Sequence, residues 1–229
     1  MKQTLFALMI TLVTLGADFK VVSLKGTVLV RHGVQEQWKP VSAGDVLKPE
    51  DSIELNKKSS AIILVDGRKK ITLPASVIID LSDLRYLTQE ELLLMLAMEQ
   101  IRSVPAKDNR YDIEIPRTTT IHGSSKEESP ALRPNDAETG LMQLNGTKVL
   151  FDHDFYATCV LKSKELFRLY PDLKNRTDER IMVAGALEKM NLNSEALSEY
   201  VGLTSGQLTV SERSIIEQKI KLLKKQNGK

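Results

Sequence analysis

The chain has 229 residues, room for one large domain or two small ones. Its hydrophobic content of 41% and charged content of 27% are those of an ordinary folded protein. A formal net charge of +2 argues against bulk electrostatic binding to nucleic acid, and an aromatic content of 5% argues against stacking platforms for bases or sugars.

Residues 1–17 carry the pattern of a secretory signal peptide. Lys2 supplies the positive start, Leu5 to Leu15 form an apolar run broken only by threonines, and Gly16 and Ala17 precede the first acid, Asp18. The run is shorter than the roughly 20 apolar residues a membrane-spanning helix needs. No later segment is long and apolar enough to span. The expectation is a periplasmic or secreted protein with no stable membrane insertion after signal cleavage.

Residues 18–86 read as β structure. "VVSLKGTVLVRHG" alternates around Gly26, and "EQWKPVSAGDVLKPEDSIEL" holds short apolar steps between turn signals at Ala43-Gly44-Asp45 and Pro49-Glu50-Asp51. "AIILV", Asp66-Gly67 and "KKITL" form a hairpin pattern, and "ASVIIDL" is a further strand. "AIILV" and "VIIDL" are nearly continuous apolar runs, which predicts burial on both faces in a sandwich, a barrel or a β-helical wrap. The basic run Arg68, Lys69 and Lys70 is expected to be a solvated hairpin tip. The single tryptophan, Trp38, is expected to be buried.

Residues 87–104 predict a connecting helix. Thr88 with Glu91 has capping-box spacing, and Leu92, Leu93, Leu96, Ile101 and Val104 recur at helical intervals. Its Leu and Met content makes it apolar on more than one face, so it is either a buried helix or a partner-binding surface. Residues 105–136 lose periodicity. Prolines at 105, 116, 130 and 134 bracket a polar stretch, within which residues 111–115 are a possible edge strand.

From residue 137 to 229 the pattern is helical. "FDHDFYATCVLKSKELFRLYPDL" places Phe155, Cys159, Leu166 and Leu169 at helical spacing, with "FDHDF" read as a helix start. "TDERIMVAGALEKMNLNSEALSEYVGL" reads as two helices joined at Asn191 to Asn193, capped by Thr177 or Asp178 and by Ser194. A last helix has Ser211 as cap and Ile215, Ile216, Ile220, Leu222 and Leu223 as its apolar side. The lone Cys159 can form no internal disulfide and reads as a buried small residue. His32, His122 and His153 lack metal-ligand spacing, and no catalytic, cofactor or metal residue is assigned.

Two family resemblances follow. The first covers Val21 to Leu81. It rests on Gly26 in a strand pair, Trp38 followed by Val41, Gly44-Asp45 before Leu47, Asp51 with Ile53, Ser60-Ala61 before an apolar strand, Asp66-Gly67, and Ile71 with Leu73. In that order they resemble the FecR-like domain of bacterial envelope proteins. The resemblance implies an extracytoplasmic β-domain, wound in a β-helix-like arrangement, that takes part in envelope signalling. The N-terminal sigma-binding domain and internal membrane helix of the namesake regulators are not seen, so only the domain is carried over. The second is in the helical part. Ala184, Asn191, Ala196 and Tyr200 resemble the small, turn, small and bulky positions of a tetratricopeptide (TPR) repeat, against a plain helical bundle as the alternative.

The fold class expected is therefore α+β, with an N-terminal all-β FecR-like unit and a C-terminal TPR-like helical module. The function expected is non-enzymatic protein–protein interaction in the bacterial envelope, as scaffold or sensor, with an envelope protein as partner. The alternative is binding of a cell-wall or surface polysaccharide, for which Trp38, Tyr86 and Tyr111 are the candidate platforms. Ser124 beside His122 lacks the strand-turn-helix setting of a catalytic nucleophile.

Overall fold

The computed structural model describes residues 19–35, 37–103 and 136–227. The expected signal peptide, the possible strand at 111–115, Tyr111, His122 and Ser124 lie outside these residues. Within them the layout is α+β, strands first and helices after.

Eight strands make two four-stranded antiparallel sheets. They are β1 (Phe19–Lys25), β2 (Val28–Arg31), β3 (Lys39–Pro40), β4 (Val46–Leu47), β5 (Ser52–Leu55), β6 (Ser60–Val65), β7 (Lys69–Leu73) and β8 (Val77–Asp80). The first sheet runs β4-β1-β6-β7 and the second β3-β2-β5-β8, so the chain repeatedly crosses from one sheet to the other. Phe19, Val21, Ile63, Ile71 and Leu73 of the first sheet share one core with Val28, Val30, Ile53, Leu55, Val77 and Ile79 of the second. Both sheets therefore contribute to one continuous buried core. The β1–β2 corner needs glycine. Gly26 has φ +76°, and a Cβ there would lie 2.6 Å from Ser59 Oγ and 2.8 Å from the Lys58 carbonyl.

Apolar runs of similar appearance meet different fates. In β6, Ala61, Ile63 and Val65 are buried while Ile62 and Leu64 are half-buried, so this strand alternates. The expectation of two-sided burial is corrected for "AIILV": its outer side chains, Ile62 and Leu64, are only half-buried. It holds for β8, where Val77, Ile78 and Ile79 are all buried. The cover is helical.

Six α-helices follow: α1 (Gln89–Ser103), α2 (Asp136–Asp152), α3 (Tyr156–Leu169), α4 (Thr177–Lys189), α5 (Asn193–Leu203) and α6 (Val210–Asn227). Helix α2 lies on β8 so closely that a Cβ on Gly146 would be 2.3 Å from the Ile78 carbonyl oxygen. Asn145 Nδ2 donates to the Ser76 carbonyl at 2.9 Å beside it. Helices α3, α4 and α5 stack in turn, and α6 packs on α5. Buried Glu179 of α4 takes Lys148 of α2 at 2.9 Å and Arg176 at 3.0 Å, which compensates its charge.

Helix ends follow local chemistry, with some corrections. Thr88 and Glu91 form the expected capping box: Thr88 N donates to the Glu91 carboxylate at 2.8 Å and Glu91 N to Thr88 Oγ1 at 3.2 Å. The cap of α6 is Thr209, not Ser211, because Thr209 pairs reciprocally with Glu212 three residues on. Neither α4 nor α5 has a side-chain cap; Arg176 and Leu192 occupy those positions. "FDHDF" is chiefly a helix stop. Phe155 N donates to the Leu150 carbonyl at 2.9 Å and Asp154 N to Phe151 at 3.1 Å, with Asp154 at φ +66°. That is a Schellman turn with Asp in the left-handed position. Asn191, φ +59°, closes α4 the same way, with Leu192 N on the Leu187 carbonyl at 3.0 Å. Among the described side chains of α6 only Ile216 and Leu223 are buried. Ile215 and Leu222, expected on the apolar side, are half exposed, with α5 the main element packed on this helix.

Candidate functional site: a groove between α1 and α5

Lys69 shows how the β and helical parts are joined. Arg68 N donates to the Val65 carbonyl at 3.0 Å, and Asp66 and Gly67 both have positive φ, as a primed hairpin turn requires. Arg68 and Lys70 are exposed. Lys69 departs from the expected solvated tip. Its ammonium lies 4.4 Å from the Phe155 ring centre and 5.1 Å from that of Tyr86. It donates to Tyr86 Oη at 2.7 Å and to the His153 carbonyl. The adjacent Thr72 N donates to His153 Nε2 at 3.3 Å, so the α2–α3 junction occupies the edge of β7. A charge reversal at Lys69 would face Asp154, 3.9 Å away, and is not neutral to the fold.

A second join is ionic. Lys162 of α3 lies 2.9 Å from Asp80, 3.2 Å from Glu165 and 4.0 Å from Asp83. Ser52 Oγ donates to Asp80 at 2.6 Å, and Arg31 donates to Ser52 at 3.2 Å. Burial alone would raise the Asp80 carboxyl, but Lys162 and the Ser52 hydrogen bond outweigh it and hold it below the usual range. Burial would likewise lower Lys162, and Asp83 and Asp80 reverse that. Asp83 goes the other way: burial raises it to about 6, with Asp80 and Glu165 adding to the effect against Lys162. The cavity beside this cluster is about 10 Å³, room for no more than a water, so the cluster is a structural tie.

The other side of the helical part is open. A groove of about 840 Å³ lies between α1 and α5. Phe167 of α3 and Leu187 of α4 are its most buried lining residues and form the floor. Leu93, Leu96, Ala97 and Gln100 make the α1 wall; Glu195, Ser198 and Glu199 make the α5 wall. Helix α1 reaches this position through Leu92, wholly buried, and through a hydrogen bond from Gln89 Nε2 to the Met190 carbonyl. Two ion pairs line the groove, Arg168 with Glu99 and Lys164 with Glu199. Arg180 is half-buried there, with no ion pair among the described residues. Outside the groove, α1 carries an apolar stripe at i, i+4, i+7: Leu94, Met98 and Ile101 are 64%, 47% and 72% exposed.

A smaller groove of about 390 Å³ lies across α2, α4, α5 and α6, lined by Phe151, Ile181, Met182 and Tyr200. Two of its charges, Glu188 and Lys219, are paired with each other. Glu188 accepts from Tyr200 Oη at 2.7 Å and from Lys219 at 2.9 Å.

The remaining candidates from sequence are dispersed. Trp38 is half-buried, not fully buried, and the Arg31 guanidinium stands 5.1 Å from its ring centre. Tyr86 is 66% exposed, with its ring tilted on Phe155 at 4.8 Å. Cys159 is buried, and burial pushes its thiol up to about 12. His32 Nδ1 lies 3.1 Å from Asp51. No cluster able to hold a metal and no helix long and apolar enough to cross a membrane occurs among the described residues. The Leu-rich character of α1 signals its wall of the groove in advance. Arg180 carries no such signal, since a lone arginine in a helix looks the same whether it faces solvent or a slot.

Comparison with family models, curated proteins and solved structures finds no match to this chain.

Proposed function

We propose that this chain is a non-enzymatic interaction protein of the bacterial cell envelope, acting outside the cytoplasm as a scaffold or sensor. In this reading the β part is a FecR-like unit and the helices are TPR-like hairpins. The signal-peptide pattern of residues 1–17 supports the location. The observation that carries the reading is the α1–α5 groove, open, about 840 Å³, and lined by apolar, aromatic and charged side chains together. Stacked helical hairpins bind peptide segments in such grooves. The polysaccharide alternative has less support, because Arg31 stands over Trp38 and Tyr86 lies against Phe155 and Lys69.

Ser198 is exposed on the α5 wall, so Ser198→Trp sets a bulky ring in the groove without touching the core. Affinity capture from an envelope extract, read by mass spectrometry, is expected to recover an envelope protein with the wild-type chain and lose it with Ser198→Trp. Recovery of cytoplasmic proteins alone would sink the proposed location. Equal recovery by both chains would sink the groove.

A further inference from the structure

The charges in the groove are unequal in how they are matched. Lys164 and Arg168 have their carboxylates in Glu199 and Glu99. Glu195 is in the first turn of α5, where the helix dipole offsets a negative charge. Arg180 has neither compensation. It is the fourth residue of α4, at the end where the dipole disfavours a cation. Its guanidinium reaches across to α5, and the Arg180 Nη2 atom is what a Cβ on Gly202 would meet first, at 3.7 Å. A half-buried guanidinium offers planar donors that match a carboxylate in bidentate fashion. Lys174, exposed at the same groove, adds a second positive charge without an ion pair among the described residues. Beside these cations lie Leu93, Leu96, Phe167 and Leu187.

We infer that the occupant of this groove is an acidic amphipathic segment of another protein. Its apolar side chains cover Leu93, Leu96 and Phe167, and one of its carboxylates pairs with Arg180. This rests on the docking reading of the groove above. Burying the Arg180 pair against an apolar floor excludes water from it, which strengthens a charge-assisted hydrogen bond.

The test uses a random peptide library displayed on phage and panned against the full chain, with Arg180→Met, Arg180→Glu and Ser198→Trp as comparisons. Arg180→Met keeps the apolar stem and carries the test if Arg180→Glu does not fold. Peptides enriched on the wild-type chain are expected to combine Asp or Glu with spaced apolar residues. Synthesised singly, they should bind Arg180→Met about tenfold or more weakly by calorimetry, as loss of a hydrogen bond between charged groups implies. They should not bind Ser198→Trp. Peptides lost with Ser198→Trp but without acidic preference, or bound equally by Arg180→Met, would overturn the acidic partner and leave the docking groove standing. If no enriched peptide is sensitive to Ser198→Trp, both readings fall.

Discussion

Helices α1 and α2 make opposite use of their sequences. Helix α1, "QEELLLMLAMEQIRS", is rich in Leu and Met, yet among its described side chains only Leu92 is fully buried. Helix α2, "DAETGLMQLNGTKVLFD", has fewer Leu and Met, yet it is held between β8 and α3, with Leu144, Thr147, Val149 and Leu150 buried. The difference is shape. Gly146 lets the backbone of α2 reach the Ile78 carbonyl, and Thr147 satisfies its buried hydroxyl on the Leu144 carbonyl at 2.7 Å. Helix α1 has no glycine and leaves the groove and the outer stripe open. Close backbone approach, more than apolar content, decides which helix is sealed in.

The hardest blow to that comparison comes from Gly146→Ala. In an ordinary helix interior this change gains about 1 kcal/mol. Here the new methyl group meets backbone, and the expected result is a net loss of about 2 kcal/mol, from overpacking. Urea unfolding reads it directly. A variant as stable as the wild-type chain would mean that α2 and β8 do not touch.

Asp83→Asn probes the ionic tie beside that contact and is smaller. The Asp83 carboxyl is raised from 3.8 to about 6 in the folded chain. Stability from this group is therefore fully present below about pH 4 and is lost as pH rises through about 6. Asp80, held low, contributes in the opposite sense, with stability present above its usual value and lost only as pH falls below it. The variant should unfold about 1 kcal/mol later than wild type at a pH of about 7.5, with the gain absent near pH 4. An equal shift at both pH values would show that the ionisation of Asp83 is not the source of the effect.

The smallest effect belongs to the outer stripe of α1. Leu94→Ser combined with Ile101→Ser should change stability by no more than about 0.5 kcal/mol, the range for exposed positions. A loss near 2 kcal/mol in thermal or urea melts would show that this face is covered and would erase the contrast with α2.

Much of the local structure is legible in the residues. Period-two alternation locates the strands, Asp66-Gly67 marks the hairpin, Thr88 with Glu91 starts α1, and Asn191 ends α4, because each depends on neighbours a few positions away. Some features are misread locally, such as the caps expected at Ser211, Ser194 and Thr177 or Asp178; others depend on distant partners. Lys69 looks like a wet loop cation until the α2–α3 junction brings Phe155 and the His153 carbonyl to it. "AIILV" and "VIIDL" look alike until α2 covers one of them. "FDHDF" carries acids suited to a helix start, and the Leu150–Phe155 contact of a Schellman turn makes it a stop instead.

The groove divides along the same line. The sequence by itself determined the order of strands and helices, the start of α1 set by its capping box, and an α1 with more apolar surface than one face can bury. It determined these because periodicity and capping act within a few residues. Only the tertiary structure decided that α1 and α5 stand apart over Phe167 and Leu187, and that Arg180 lies between them without an ion pair among the described residues. That outcome depends on how α3 and α4 stack and how near α2 comes to β8. Both are packing solutions of the whole chain, fixed by volume and close approach rather than by any local pattern.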